Sequence, residues 1–244
     1  MRDAATVVWK EWKGMFHMHS GPLNGPLPYL AVIVIAGVSF ALPVGEAYAT
    51  SWRTVFLVVS ATAFAVSSVI CDSVAGERER HTLETLLASR LPDHAIVIGK
   101  LAAAVLHAWM TAGLLLLAGL LTAVVRFGGS ALGGGLSSVF LSAMLSLLVA
   151  VLVGGVGIVA SLRAPTVKLA QQSFFISLMT LFFFPILASR LLRPDLRAAL
   201  VDWAARPNPG SMILWGTLTL CLLDAVVIAA ALRRFRRSSL LSGR

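Results

Sequence analysis

Charge and cysteine are both scarce in this chain of 244 residues. Asp, Glu, Lys and Arg together form 13% of the sequence, whereas hydrophobic residues form 58% and the mean hydropathy is +0.87. So few charges exclude the usual composition of a soluble domain. The two cysteines, Cys71 and Cys221, lie in apolar runs, which excludes a disulfide framework and a cysteine-based metal site. The composition indicates a polytopic helical membrane protein.

Motifs for binding nucleotides and metals are absent as well. The Gly99-Lys100 pair is followed by Leu101 and has His94 where a phosphate-binding loop needs its first glycine, so this chain is not expected to hydrolyse ATP and is not expected to be an enzyme. The run Gly155-Val156-Gly157-Ile158-Val159-Ala160 matches a loose dinucleotide fingerprint, but it lies in an apolar run, where close helix packing is the better interpretation. His17-Met18-His19 lacks enough further ligands, so no metal site is expected.

Six apolar runs are long enough to cross a bilayer core, which takes about 20 helical residues. We predict spans at Pro28–Val44, Thr54–Cys71, Ala95–Val125, Leu136–Leu162, Leu169–Ser189 and Met212–Leu232. The predicted fold is therefore an all-α membrane protein with six transmembrane helices in one domain, residues 1–244. Spans one and two occupy residues 28–72, spans three to five occupy 95–189, and span six occupies 212–232.

The positive charges indicate the orientation of these spans. Most of the 20 Lys and Arg residues lie before span one, after spans two and four, and in the basic tail, residues 233–244. Because Lys and Arg gather in cytoplasmic loops, both termini are expected in the cytoplasm. The same bias accounts for the net charge of +9, so the bilayer is an expected partner and nucleic acid is not.

Two amphipathic segments accompany the spans. In residues 3–20, apolar side chains cluster on one helical face beside Lys10 and Lys13, as in an elbow helix that lies in the membrane interface. Residues 190–210, on the outer side before span six, are predicted to form a short interfacial or re-entrant helical segment. The candidates for an outer gate in this segment are Arg190, Arg193, Arg197 and Trp203.

The charged stretch 73–92, between spans two and three, has a more specific pattern. Acidic and basic residues alternate over Glu77–Arg80, and Asp72 is expected to pair with Arg78 or Arg80. Leucines then recur with the spacing of one helical face, at Leu83, Leu86, Leu87 and Leu91. A loop that only reconnected two spans would not need this pattern, so the stretch is predicted to be a cytoplasmic helix that docks on a partner.

The same stretch resembles a family signature. The run Gly76-Glu77-Arg78-Glu79-Arg80-His81-Thr82-Leu83-Glu84-Thr85-Leu86-Leu87 is similar to the G-E-R-E-x-x-T-L-E-x-L-L sequence of ABC-2 type membrane subunits of ATP-binding-cassette transporters. Pro92 and Gly99-Lys100 follow as in that family, and Trp9-Lys10-Glu11-Trp12 resembles the start of its elbow helix. His81 departs from the pattern, since the family often has a small residue there; we interpret it as tolerated on a solvent-facing surface.

The resemblance implies a permease subunit of an ABC exporter in a prokaryotic cytoplasmic (inner) membrane. The implied partners are two copies of an ABC ATPase subunit, which would bind ATP and Mg, and a second permease subunit, identical or related. This chain itself is expected to hold no cofactor, and the stretch 73–92 would be the coupling helix. The implied ATPase-coupling residues are Gly76, Glu77, Arg78, Glu79, Arg80, Thr82, Leu83, Glu84, Leu86 and Leu87.

Polar residues within the spans are candidates for the transport pathway. Asp224 is the strongest, because a charged carboxylate in the middle of a span costs about 3 kcal/mol on insertion scales. It is interpreted either as a proton or substrate contact or as a partner in an interhelical hydrogen bond to Gln171, Gln172 or His107. His107, Gln171 and Gln172 are weaker candidates, because most polar groups in spans hold helices together.

Two alternative functions remain open. An ATP-independent secondary transporter would use Asp224 and His107 as proton sites, but inverted repeats and broken helices are not evident in the sequence. An ABC-type subunit that serves the assembly of a membrane complex, rather than export, would share all the motifs described above.

Overall fold

The chain folds as a bundle of long helices. The computed structural model describes residues 2–18, 26–80, 82, 91–129, 135–162, 164, 166–196 and 209–234, and these residues form no strand. The helices are α1 (Arg2–Met18), α2 (Pro26–Val44), a 3-10 helix (Gly45–Ala49), α3 (Trp52–Glu79), α4 (Asp93–Phe127), α5 (Leu136–Ser161), α6 (Val167–Leu191) and α7 (Pro209–Arg234). Helices α2 to α7 supply six segments long and apolar enough to cross a membrane, which confirms the predicted all-α fold.

Helix α3 lies at the centre of the bundle. It packs against α4, α5 and α6, and its buried face carries Val66, Ile70 and Cys71. Helices α1 and α2 pack on α4, whereas α7 packs mainly on α5. The larger apolar core joins α3, α4, α5 and α6, and Ala231 of α7 reaches it.

Glycines allow several of these helices to approach closely. A Cβ atom at Gly37 of α2 would lie 2.6 Å from the Leu115 carbonyl oxygen of α4, and one at Gly155 of α5 would lie 2.6 Å from Cγ1 of Val227 in α7. The run around Gly155 therefore serves helix packing, as predicted from its position in an apolar span.

The 3-10 helix closes the connection between α2 and α3. It begins at Gly45, whose φ of +71° favours glycine, and it buries Tyr48 and Ala49. The Tyr48 ring lies against Gly119 of α4, where any side chain would overlap it. Thr54 at the start of α3 donates a hydrogen bond to the Tyr48 carbonyl oxygen at 2.6 Å.

Helix α3 extends beyond its predicted end. Span two was expected to end at Cys71, but α3 continues without a break to Glu79. Its 28 residues measure about 42 Å at about 1.5 Å per residue, which exceeds the roughly 30 Å of a bilayer core. Residues 73–79, expected to begin a separate coupling helix, are therefore the last turns of α3. Residues 81 and 83–90 lie outside the described residues.

Candidate functional site

A buried ion-pair cluster joins α1, α3 and α4 at the end of α3. The Lys100 ammonium group of α4 donates to Glu11 Oε1 of α1 at 2.7 Å, to Glu77 Oε1 of α3 at 3.0 Å, and to the Ser73 carbonyl oxygen at 2.6 Å. Lys10 Nζ of α1 lies 3.3 Å from the same Glu77 oxygen. These five residues, Lys10, Glu11, Ser73, Glu77 and Lys100, are called the Lys100 cluster.

The cluster is shielded from solvent at its centre. The Lys100 side chain is 3% exposed and the Glu77 side chain is 10% exposed. Burial of an ammonium group is costly unless the group is paired and hydrogen-bonded. Lys100 satisfies this requirement, because its three N–H donors have three acceptors. The cluster therefore ties three helices together by contacts that are costly to leave incomplete.

The sequence builds this cluster through helical periodicity and one small residue. Val66, Ile70, Ser73 and Glu77 follow one another at spacings of one helical face, so Glu77 continues the buried face of α3. A Cβ atom at Gly99 would lie 2.6 Å from Cβ of Val7, so glycine at this position lets α1 lie directly on α4. That approach brings Glu11 to Lys100.

Further polar groups at the end of α3 contact other helices. Glu79 Oε2 accepts a hydrogen bond from the backbone N–H of Val167, the first residue of α6, at 3.2 Å. The backbone N–H of Ala75 donates to Ser161 Oγ at the end of α5 at 3.1 Å. The last turns of α3 are therefore bonded to α1, α4, α5 and α6.

An ion pair at the end of α3 completes this region. Arg80 Nη2, immediately after the helix, lies 3.2 Å from Asp72 Oδ1, which confirms the pairing predicted for Asp72. A Cβ atom at Gly76 would lie 2.8 Å from Asp72 Oδ1, so glycine leaves room for this ion pair to cross the helix surface.

The sequence of this helix bundle matches a known protein family. A family model described as ABC-2 type transporter matches residues 3–209, which include the whole Lys100 cluster. The chain belongs to the ABC-2 type transporter family. It is accordingly a multi-pass membrane permease of an ABC transporter and not a nucleotide-binding domain. A search of curated proteins finds no match.

The permease places the predicted coupling residues in different environments. Gly76 and Glu77 are buried, whereas Glu79, Arg80 and Thr82 are exposed. The Glu77 carboxylate thus lies inside the Lys100 cluster and not on an open surface. The side chain of Arg78, and residues Leu83, Glu84, Leu86 and Leu87, lie outside what the structure describes. The docking role of this set stays a prediction.

The pathway candidates of the permease lie in separate helix contacts. Tyr29 of α2 stacks on His107 of α4 with ring centroids 5.7 Å apart, and its hydroxyl lies 3.2 Å from His107 Nε2. Gln171 Nε2 of α6 donates to the Ser68 carbonyl oxygen of α3 at 3.3 Å, while Gln172 is exposed. His107 and Gln171 therefore join helices.

Asp224 is the exception among these polar groups. It is 7% exposed, and its Oδ1 atom has no hydrogen-bond partner in the described part of the chain. It lies on the side of α7 that faces α5, one turn from Val227, which contacts Gly155.

The outer-gate candidates are described in part. Arg190, in the last turn of α6, and Arg193, just beyond it, are exposed. Arg197 and Trp203 lie outside the described residues. Among the residues that the structure does describe, no group of three or more His, Cys, Asp or Glu side chains could hold a metal ion.

Sequence analysis missed four residues of the Lys100 cluster as site residues: Lys10, Glu11, Ser73 and Lys100. Three of them, Lys10, Glu11 and Lys100, were used only for the orientation of the spans or for the family resemblance. The available signal was the periodicity of span two, which continues through Ser73 to Glu77 and predicts a buried carboxylate in need of a cation.

Proposed function

We propose that this permease acts in an ABC exporter, with two copies of an ATPase subunit and a second permease subunit, identical or related. Both termini and the stretch 80–92 lie in the cytoplasm, in accordance with the positive-inside rule. ATP and Mg bind in the ATPase subunits. Residues 80–92, called the docking stretch, dock on these subunits. The membrane is the cytoplasmic (inner) membrane of a prokaryote.

The observation that carries this proposal is the attachment of the end of α3 to its neighbours. Movement of the docking stretch acts first on the last turn of α3. Because Glu77 is paired with Lys100 and Lys10, displacement of that turn pulls on α4 and α1 as well. Removal of one partner from a buried ion pair typically costs about 3–5 kcal/mol, so the cluster resists separation and transmits movement.

Export requires that the pathway between the two permease subunits opens first to one side of the membrane and then to the other. Helix α4 has 35 residues and runs from the Lys100 cluster to Phe127 at the opposite end of the bundle. A rigid shift of its charged end therefore reaches the far side of the membrane.

The test is co-purification in detergent with a candidate ATPase after co-expression. The wild type is compared with Glu84→Arg, which reverses a charge on the docking stretch, and with Arg126→Glu, a matched reversal in the last turn of α4 at the other end. We expect the wild type and Arg126→Glu to retain a complex that hydrolyses ATP, and Glu84→Arg to lose it. Equal retention by all three proteins would contradict docking through this stretch.

The two alternative functions give different results in the same system. A secondary transporter would move protons or cargo without an ATPase and would lose this activity in Asp224→Asn. The structure gives this alternative little support, because His107 is engaged by Tyr29. An assembly subunit would bind the ATPase but would show no cargo movement in vesicles when ATP is supplied.

A further inference from the structure

Two glutamates of one signature contact different parts of the bundle. Glu77 reaches α1 and α4 through the Lys100 cluster, whereas Glu79, two residues later, accepts a hydrogen bond from Val167 N–H of α6 at 3.2 Å. Residues two apart point to different sides of a helix. The end of α3 therefore has one branch of contacts towards α1 and α4 and a second branch towards α6.

The start of α6 is held by its contacts with α3. The first N–H groups of a helix lack partners within the helix, and a carboxylate at that end is favoured by the helix dipole. Glu79 supplies such a carboxylate to Val167, while Thr166 Oγ1 accepts from Leu169 N–H at 3.3 Å. One turn further, Gln171 donates to the Ser68 carbonyl oxygen of α3.

The remaining packing of α6 is also dominated by α3. Among the side chains of α6 that the structure describes, the buried ones are Ala170, Phe174 and Leu178. They recur every four residues and belong to the core that contains the buried face of α3. The contacts of α6 with α5 are much fewer. The outward face of α6 is mostly apolar, with Ile176 and Phe183 exposed, and Gln172 is an exposed polar residue on this face near the start of the helix. A helix with one main neighbour can shift against the rest of the bundle when that neighbour moves.

From this arrangement we propose that Glu79 is a positioning residue that transmits movement of the docking stretch to α6, separately from the Glu77 branch. The inference rests on the proposed function, because the movement originates in the ATPase. Glu79 sits at the junction between the docking stretch and α3, and its carboxylate holds the first N–H of α6. Displacement of the α3 end therefore carries the start of α6 with it, and the environment of exposed residues there, such as Gln172, changes.

The experiment follows the outward face of α6 in the whole transporter. A Gln172→Cys reporter is introduced after Cys71→Ala and Cys221→Ser, and its labelling by a water-soluble maleimide is timed without nucleotide and after vanadate trapping. Only complexes isolated with the ATPase bound are compared, so that loss of docking is separated from loss of transmission. Glu46→Ala, which removes an exposed carboxylate in the 3-10 helix, is the matched control.

We expect a several-fold change in labelling rate on trapping for the wild type and for Glu46→Ala, and no change for Glu79→Ala. Glu79→Gln keeps an oxygen that can accept from Val167 N–H and should retain most of the response. This rescue distinguishes the hydrogen bond from the charge alone.

The other outcomes overturn the inference in distinguishable ways. A full response in Glu79→Ala shows that Glu79 does not position α6, while the bound ATPase leaves the proposed function intact. Failure of Glu79→Ala to bind the ATPase makes Glu79 a docking contact instead. If the wild type neither binds the ATPase nor responds to nucleotide, the proposed function fails and the inference fails with it.

Discussion

Lys100 Nζ and Glu77 Oε1 lie 3.0 Å apart, on opposite sides of the connection between α3 and α4. Glu77 is in the last turn of α3, before the docking stretch, and Lys100 is in the second turn of α4, after it. The ion pair therefore closes the base of the loop that carries the docking stretch. When the loop is closed in this way, a force on its tip is transmitted to both α3 and α4. Without the ion pair, bending of the loop would absorb part of that force.

Loss of the Lys100 charge should destabilise the permease strongly. Lys100→Met leaves Glu11 and Glu77 without their shared cation, and we expect the free energy of unfolding to fall by about 3–5 kcal/mol. The measurement is thermal unfolding in detergent, monitored by the loss of folded protein in size-exclusion chromatography. Lys168→Met, at an exposed lysine of α6, is the control and should change stability by no more than about 0.5 kcal/mol. Similar melting of the two variants would show that the cluster contributes little.

A methyl group at Gly99 should displace α1 from α4. In Gly99→Ala the new Cβ would lie 2.6 Å from Cβ of Val7, so the helices must separate and Glu11 must move from Lys100. Cleavage by a protease added to the detergent-solubilised protein should become faster within α1.

Two further variants make the effect of Gly99→Ala specific. Gly113→Ala, in the same helix but with open space around the added Cβ, should keep the wild-type cleavage rate and gain about 0.5–1 kcal/mol of stability. Combination of Gly99→Ala with Val7→Gly, which removes the Cβ atom of Val7, should restore protection of α1. An unprotected double variant would mean that steric overlap with Val7 is not the cause.

The hydroxyl of Tyr48 should be dispensable although the residue is buried. Its oxygen has no hydrogen-bond partner in the described part of the chain, so Tyr48→Phe should leave stability unchanged or raise it by about 1 kcal/mol. Thr54→Val removes a hydrogen bond to the Tyr48 carbonyl oxygen and should cost about 1 kcal/mol. Both values come from chemical or thermal unfolding of the purified permease. A marked loss in Tyr48→Phe would reveal a partner for the hydroxyl.

Removal of the carboxyl group at Asp224 should stabilise the isolated permease. Because Oδ1 is buried without a partner in the described residues, Asp224→Leu should gain about 2–3 kcal/mol, the scale of the cost of an acidic residue inside a span. The free energy of unfolding is measured on the isolated permease subunit in detergent. Asp195→Leu, at an exposed acidic residue, is the control. Destabilisation by Asp224→Leu would indicate that the carboxyl group is bonded, for example across the contact between two permease subunits.

The spans could be predicted because their physical requirement is simple. A run of about 20 apolar residues has few options other than a membrane helix, and all six predicted runs coincide with helices. The close approach at Gly155 could be predicted for the same reason, since small residues in a span favour packing. The ion pair between Asp72 and Arg80 could be predicted too, because the two residues are close in the chain.

The Lys100 cluster could not be predicted from local patterns. Its members come from three helices, and Glu11 and Lys100 are separated by 89 positions, so their contact depends on how α1 packs on α4. The alternating charges around Glu77 also favoured an exposed segment, which placed the end of span two too early. Continuation of the α3 periodicity through Ser73 would have shown Glu77 on the buried face.

The order of synthesis gives the Lys100 cluster a consequence for biogenesis. Glu11 leaves the ribosome first and Glu77 follows, but their common cation arrives only with α4, 89 positions after Glu11. Until α4 is present, Glu11 lacks its cation in the cluster and Glu77 has only Lys10. Truncation of the nascent chain before Lys100 therefore leaves the elbow helix undocked and its acidic residue open to water. The cluster can therefore form only after the start of α4 has followed α1 and α3 out of the ribosome.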